Sequence, residues 1–439
     1  MNQKLLIVGD KGREDAFARM AEQSGIDLIV PDSLAYFANK PGAEVYPNSL
    51  SISEIARLSV ESEVTAVYLG PDQVNVDGYG DVLKNSGVDI IGVTKKSGRF
   101  EGSKIFSAKH NDDFSIPQPG FYVPFNIEDA NMYIHLNDPA KYVIKADGLA
   151  RGKGVFLPNS DDEARQAVRE MLQHKRFGKA GERIMFQQRI YGPEVSVHSI
   201  FGKDSFVILP LSQDHKRLLD GDKGPNTGGK GAYTGIPESI VSTKQYEKIE
   251  QIHGQIHESF RRAGIDYEGP LYMAFILDQN DQGEPKVLEY NVRFGDPEAQ
   301  VLFPTIPESL DFMQNLIRVA KGQSIIKAQE YHPRKLDKVA LSVCLSGEGY
   351  PETNYNGSRI INGANQEYEN CTINHGNTYF ESDGTVWSDG GGRMIHSTGV
   401  GDNLIDAHHF AYSPLLSGKV NSENAHYRTD IGRQAISPV

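Results

Sequence analysis

The sequence predicts a multidomain chain mixing α/β and α+β folds: an N-terminal open parallel α/β domain, a two-lobed central region and a small strand-rich C-terminal domain. Three patterns predict it. Short buried runs alternate with helical periodicity over the first hundred residues, which suits strands of a parallel sheet. Long apolar runs separated by glycine loops follow, as in a mostly antiparallel sheet. A further apolar run and one helical pattern close the chain.

Leu5–Val8 reads as a buried strand, then a glycine turn, then a helix with Ala16, Phe17 and Met20 as its apolar face. Asp27–Val30, Val64–Leu69 and Asp89–Val93 are further strands of the same domain. Ser115–Pro124 carries three prolines and reads as a connection into a smaller α/β lobe that runs to about Val195. Phe206–Leu211, Leu271–Leu277 and Val287–Tyr290 are strands of the antiparallel region. Gly322 opens a linker, Val339–Leu345 starts the last module, and Asn403–Tyr412 is its helix.

With 38% apolar and 23% charged residues, 44 Gly and 22 Pro, the 439-residue chain can bury a full core, which excludes disorder, collagen and coiled coil. Its net charge of −13 argues against a general nucleic-acid or membrane-surface binder, while leaving room for a local basic pocket that holds a phosphorylated small molecule. Two cysteines, Cys344 and Cys371, fit a reducing cytoplasm. Neither Leu5–Val8 nor Leu271–Leu277 is long enough for a signal-peptide core or a bilayer span.

Three stretches carry chemistry. In VIKADGLARGKGVFL (143–157), one strand delivers Lys145 before the chain turns through Gly148, Gly152 and Gly154. Glycines let backbone N–H groups approach phosphate oxygens, and Lys145, Arg151 and Lys153 supply the positive charge a triphosphate needs. An ordinary glycine hairpin with solvated lysines is the bland alternative. The second stretch, SQDHKRLLDGDKGPNTGGKGAYTGIP (212–237), reads as a mobile binding loop, because long structureless loops in compact domains are usually functional. Asp214, His215, Lys216 and Arg217 stand at its entrance. The third, KVLEYNVRFGDPEAQ (286–300), alternates as a strand, so Val287, Glu289 and Asn291 share one face and Leu288, Tyr290 and Val292 the other. A carboxylate and a carboxamide two residues apart suit Mg²⁺, which fills its octahedron with water and substrate phosphates. Arg293, Asp296 and Glu298 crowd the strand's exit, where a guanidinium suits a carboxylate or phosphate. A solvated edge strand with a surface ion pair is the alternative there.

Together with EGSK at 101–104 and DIGRQA at 430–435, the motifs DGLARGKG, SQDHKR, GPNTGGKGAY and EYNVRFGDPEAQ resemble, in order and spacing, the phosphoribosylamine glycine ligase family, the ATP-grasp enzymes also called glycinamide ribonucleotide synthetases. The resemblance runs from Lys4 to about Arg433. It implies three domains, 1–103, 104–325 with a small lobe at about 122–195, and 326–439, the middle one an ATP-grasp core. It implies ATP, with Mg²⁺ or Mn²⁺, activating glycine as glycyl phosphate for capture by the amine of 5-phosphoribosylamine. Carried over by position, Lys104 and Lys145 contact ATP phosphates beside the loop residues Gly152, Lys153 and Gly154. Gln187, Gln188 and Ile190 belong to the adenine hinge, Glu194 meets the ribose, and Glu289 and Asn291 hold the metal. Lys145, Asp214 and Arg293 are the catalytic candidates. Asp214 is expected at the glycine ammonium and Arg293 at its carboxylate or the transferring phosphoryl group. Gly12, Arg13, Glu14, Lys216 and Asp296 complete the substrate set.

Five departures stand out, one of them that the family's early asparagine-glycine loop is not recognisable near residues 31–44. The hinge reads QQRI where two glutamates are usual, Lys230 replaces a methionine, Asp15 replaces a histidine, and Gly70-Pro71-Asp72 replaces GPE. The N-terminal changes fall where phosphoribosylamine is expected, so an ATP-grasp ligase joining an amino acid to another amine is the alternative, and a noncatalytic nucleotide-binding subunit is a second one. A monomer or weak homodimer is expected, without nucleic acid or membrane partners.

Overall fold

The computed structural model describes residues 3–150, 154–327, 330–352, 359–389 and 391–436. The first domain is a five-stranded parallel sheet of β1 (Lys4–Val8), β2 (Asp27–Pro31), β3 (Glu44–Tyr46), β4 (Ala66–Leu69) and β5 (Ile90–Ile91), ordered β3-β2-β1-β4-β5. The strands expected at Val64–Leu69 and Asp89–Val93 are shorter than their apolar runs, and β3 was not expected from the sequence. Strand order reverses at β1, so the crevice at the carboxyl ends of β1 and β4 is the natural binding position of such a sheet. Helix α1 (Gly12–Gln23) leaves that crevice with Ala16 and Phe17 buried, and Phe17 stacks on Tyr68 at 3.7 Å between ring centroids. The same core takes in Phe294, Leu302, Phe303 and Leu316, which fastens the first domain to the chain beyond residue 290.

The small lobe is an antiparallel sheet of β6 (Phe121–Tyr122), β7 (Tyr142–Ala146), β8 (Val155–Phe156) and β9 (Ile184–Gln188), ordered β6-β9-β7-β8. Its core joins Tyr142, Ile144 and Phe186 to Ala164, Val168 and Met171 of the helix Asp161–Leu172.

The large lobe contains β10 (Glu194–Phe201), β11 (Phe206–Ile208), β12 (Ser212–Asp214), β13 (Arg217–Leu219), β14 (Lys223–Asn226), β15 (Gly231–Thr234), β16 (Gly269–Asp278) and β17 (Glu284–Asn291). Residues 212–237 are therefore strand-rich, where a structureless loop was expected. β12 and β15 pair with each other inside the main sheet, and β13 and β14 form a small hairpin. Backbone pairing satisfies these polar segments without an apolar pattern, which is why period-based reading misses them. The helix Thr243–Arg262 lays Ile249, Ile252, Ile256 and Phe260 onto this sheet. Each such side chain contributes about 1.5–3 kcal/mol on full burial.

β18 (Val339–Ser346), β19 (Arg359–Ile360), β20 (Cys371–His375), β21 (Tyr379–Phe380), β22 (Val386–Ser388) and β23 (Arg393–Gly401) follow. β18 pairs with β15, so one nine-stranded sheet runs β17-β16-β10-β12-β15-β18-β23-β20, with β11 on β10. The C-terminal strands thus extend the large lobe's sheet. The helix Leu404–Leu416 covers their apolar face, capped by Asn403, whose side chain accepts from the N–H groups of Ile405 and Asp406.

The expected alternation along β17 needs one correction. Glu289 pairs with Ala274 but Val287 with Phe275, so Leu288 is an extra residue in a bulge. The bulge flips the parity. Val287 joins Tyr290 and Val292 in the core, whereas Glu289 and Asn291 still share the other face.

Candidate active site

Asp147 stitches the first two motifs together. Its Oδ1 accepts from the Ser103 hydroxyl at 2.8 Å and from the Ile105 N–H at 2.8 Å, while the Lys104 N–H donates to its carbonyl. Ser103 also caps the helix Lys104–Asp113 by accepting from the Phe106 N–H. Lys104 Nζ then reaches the Gly148 carbonyl at 3.1 Å. Lys145 projects from the wholly buried β7, and burial, only partly offset by Glu289, brings its ammonium down to about 8. At Gly154 a Cβ would come 2.6 Å from Ala150 Cβ, so the returning strand packs too closely for a side chain. Arg151, Gly152 and Lys153 lie outside the described residues.

At the hinge, Gln187 is buried in β9 and Gln188 is exposed. The Gln188 N–H donates to the Gly120 carbonyl at 2.7 Å, and Ile190 is half-buried. Glu194 opens β10 and accepts from Lys216 Nζ at 2.8 Å. Burial acts against the Lys216 ammonium, yet Glu194, Tyr272, Glu289 and Asp214 hold it well above its usual value.

Glu289 and Asn291 face this group. Burial alone would raise the Glu289 carboxyl, but Lys216, Lys145, Lys104 and Arg293 overcome it and hold it below the usual range. Arg293 Nη2 lies 2.8 Å from Glu101 Oε1 and 3.2 Å from Asn291 Oδ1, while Asn291 Nδ2 and Arg293 Nε are buried without partners. Glu101 also accepts from the Val292 N–H, so EGSK fixes the exit of β17.

Asp214 ends β12 with its Oδ1 buried and unpartnered. Burial and Glu298 push its carboxyl well above the usual range. Gly229, at φ +111°, borders it, and a Cβ there would meet Pro297 Cδ at 2.3 Å and Asp214 Oδ1 at 2.8 Å. Glu298, read from sequence only as part of a crowded strand exit, is buried and accepts from Ser196 Oγ at 3.1 Å. His198 is neutral through burial, stacks on Tyr272, and accepts the Gly295 N–H at 2.9 Å, which pins the turn between Arg293 and Glu298.

Gly12, Arg13 and Glu14 are enclosed at the β1/β4 crevice. Arg13 Nε donates to Glu14 Oε1 at 2.7 Å and its Nη1 to the Phe294 carbonyl at 3.2 Å. The second Glu14 oxygen accepts the Lys11 N–H, so both are engaged. Gly9 and Gly70 leave the space Glu14 fills. The altered position Asp15 is fully buried and partnered by Arg19 at 2.8 Å and Asn374 at 3.0 Å. Lys230 is also fully buried; its Nζ donates to Ser346 Oγ and the His426 carbonyl. Asp296, with its side chain 7% exposed, is gripped by Arg393 Nη2 at 3.0 Å and Gln300 Nε2 at 2.9 Å. Burial acts against the Asp296 carboxylate, but Arg393 and Arg13, with the Gln300 hydrogen bond, outweigh it and hold it down to about 2. Arg393 was not singled out from the sequence, since it enters from β23, a hundred residues away.

The structure thus brings Lys104, Lys145, Glu194, Lys216, Glu289, Asn291 and Arg293 together between the two lobes. Asp214 and Glu298 lie beside them, and Asp296 lies toward the first domain. One ionised carboxylate beside a carboxamide is a hard-oxygen donor set that fits a divalent cation completed by phosphates and water. Among the described residues no cage of three or more His, Cys, Asp or Glu stands ready for a metal.

A cation-lined cleft between two antiparallel sheets, with this acid–amide strand, defines an ATP-dependent ligase of the ATP-grasp class, which uses ATP with a divalent metal. The chain matches the N domain (3–101), the ATP-grasp (A) domain (102–299) and the C domain (340–434) of phosphoribosylglycinamide synthetase. It belongs to the phosphoribosylglycinamide synthetase family. It is 34% identical to the phosphoribosylamine–glycine ligase of Streptococcus suis, covering 99% of this chain and 100% of the relative. The ligase of Leptospira interrogans is 33% identical with 99% of each covered. The crystal structure of the Thermotoga maritima ligase superposes with a TM-score of 0.82 at 27% identity, covering 98% of this chain and 100% of that one. Campylobacter jejuni biotin carboxylase shares the fold, with a TM-score of 0.71 at 13% identity and 100% and 96% coverage.

Proposed function

We propose that this chain joins glycine to 5-phosphoribosylamine at the expense of ATP, through glycyl phosphate, giving glycinamide ribonucleotide, ADP and phosphate in de novo purine biosynthesis. The observation that carries the reading is the ionised Glu289 surrounded by Lys104, Lys145, Lys216 and Arg293. Phosphoryl transfer needs positioning and charge neutralisation more than a nucleophilic side chain, and this constellation offers both.

In this reading, domains 1–103, 104–325 and 326–439 divide the work. Lys104 and Lys145, with Gly152, Lys153 and Gly154, steady the ATP phosphates. Gln187, Gln188 and Ile190 line adenine, and Glu194 binds ribose. Glu289 and Asn291 would hold Mg²⁺ or Mn²⁺, which when bound would supply charge neutralisation for phosphoryl transfer. Asp214 and its neighbour Glu298 bind the glycine ammonium, whose positive charge draws the Asp214 carboxyl, held up by burial, into its charged form. Arg293 exchanges part of its contact with Glu101 for the glycine carboxylate or the transferring phosphoryl group. Gly12, Arg13, Glu14 and Asp296 shape the amine side.

Among the described residues no helix is long and apolar enough to cross a membrane. Cys344 and Cys371 are buried and free, and in this reading the enzyme acts on small molecules in the cytoplasm. Expression in a strain lacking its own glycine ligase tests the reading. Growth without added purine is expected; failure of well-expressed protein to support it would favour a ligase for a different amine.

A further inference from the structure

Strand β23 enters the site from the C-terminal module at two points. Arg393 donates from Nη2 to Asp296 Oδ2 at 3.0 Å and from Nη1 to the Gly228 carbonyl at 2.7 Å, with a further bond to the Asp296 carbonyl. One guanidinium therefore fixes Asp296 relative to the glycine loop that walls Asp214. Three residues on, His396 places Nε2 3.6 Å from Asp296 Oδ1. Its side chain is 1% exposed, and neither ring nitrogen has a hydrogen-bond partner. Space around it is closed on the α1 side, since a Cβ on Gly12 would lie 3.0 Å from His396 Cδ2 and 2.5 Å from Gln300 Nε2. Gln300 itself donates to Asp296 Oδ1. The Asp296 carboxylate is thus addressed on one oxygen by Arg393 and on the other by Gln300 and His396.

A core histidine is expected to satisfy its nitrogens, because a buried polar atom without a partner costs about 1–3 kcal/mol. His396 instead keeps both nitrogens free beside a carboxylate that faces the amine side. A neutral imidazole with its proton on Nε2 stands one small shift short of donating to Asp296 Oδ1, since 3.6 Å is beyond hydrogen-bond distance.

We propose that Arg393 and His396 are positioning residues for the amide-forming half of the reaction. They hold Asp296 so that its ionised carboxylate accepts an N–H of the incoming amine and aims the nitrogen lone pair at the acyl carbon. The proposal rests on the functional reading above. It separates the two half-reactions, since activation of glycine at Glu289 and Arg293 does not use the Asp296 carboxylate, whereas capture by a bulky amine depends on its alignment. Misalignment by about 1 Å can cost on the order of a hundredfold in such a step.

The test compares capture by phosphoribosylamine with capture by hydroxylamine, a small nucleophile that needs no Asp296 to orient it. Wild type, Arg393→Met, His396→Leu and His396→Gln are assayed with ATP, Mg²⁺ and glycine for glycine hydroxamate and, with freshly generated phosphoribosylamine, for the amide. For Arg393→Met and His396→Leu, hydroxamate formation is expected within about twofold of wild type while kcat/KM for phosphoribosylamine falls about tenfold or more. His396→Gln, which retains a donor of similar reach, is expected to recover most of the loss. Parallel loss of both products, an unaffected amide rate, or a glutamine no better than leucine would overturn the proposal. If Arg393→Met does not fold, the two His396 variants carry the comparison alone. Wild type that makes the hydroxamate but no amide would overturn the underlying reading itself.

Discussion

Ser103 donates its hydroxyl to Asp147 Oδ1 at 2.8 Å, and this bond joins the helix that begins at Lys104 to the turn that follows Lys145. Two lysines from separate motifs therefore share one support. Replacing Asp147 with alanine removes acceptors for both Ser103 and the Ile105 N–H. About 1–2 kcal/mol of stability is expected to go. KM for ATP is expected to rise about tenfold, because the lysines lose their common register. Initial rates against ATP concentration, with a thermal melt, check both.

Glu289→Ala removes a carboxylate held ionised by four cations, Lys216, Lys145, Lys104 and Arg293. Turnover is expected to fall about a thousandfold, the size of losing an electrostatic clamp, and excess Mg²⁺ or Mn²⁺ is expected not to restore it. The fold is expected to survive, since Glu289 lies on the face of β17 opposite the core residues Val287, Tyr290 and Val292. Near-wild-type turnover in the folded variant would remove the metal assignment.

Asp214→Asn tests the glycine subsite. The carboxyl is held up by burial and by Glu298, so an ammonium docking beside it gains both charge compensation and a hydrogen bond. KM for glycine is expected to rise by about ten- to a hundredfold, with KM for ATP changed little. Equal changes for both substrates would assign Asp214 to loop architecture.

Lys230 carries a pH-dependent cost. It is fully buried without a carboxylate at ion-pair distance among the described residues, and burial brings its ammonium from 10.5 to about 8. Below pH 8 the folded protein holds a poorly solvated charge that the unfolded chain holds in water. Between about 8 and 10.5 the unfolded state binds the extra proton, so stability from this group rises with pH there. Lys230→Met is therefore expected to be more stable than wild type by about 1–2 kcal/mol at pH 7. That advantage shrinks as pH rises above 8. Ser346 retains a partner after the change, since its hydroxyl also reaches the His426 carbonyl. Melting curves of both proteins from pH 6 to about 10 measure the gap; a gap independent of pH would contradict this account.

Much of the site was legible because its residues are local in sequence. Glu289 and Asn291 stand two apart on a strand, and they share a face in the fold even though the Leu288 bulge sends Val287 to the other side. A bulge has no period of its own, so alternation alone misplaces the residues before it. Lys104 and Lys145 were legible as cations beside glycines. Arg393 and His396 were not, because they reach Asp296 only when β23 pairs with β18 and β18 with β15. The same pairing hid the continuity of the large sheet. Residues 212–237 looked like loop because their strands are short and polar, and backbone partners rather than apolar burial hold them. Asp15, which breaks the expected motif, is compensated by Arg19 and Asn374, the latter 359 residues away in sequence.

The most direct measurement of the central claim is phosphate release from ATP and Mg²⁺ with glycine, with and without freshly generated 5-phosphoribosylamine, against a panel of other amino acids and amines, with the product weighed by mass spectrometry. Full turnover requiring glycine and phosphoribosylamine together, with glycinamide ribonucleotide as product, is the predicted result. Turnover with glycine and some other amine, and none with phosphoribosylamine, would contradict it.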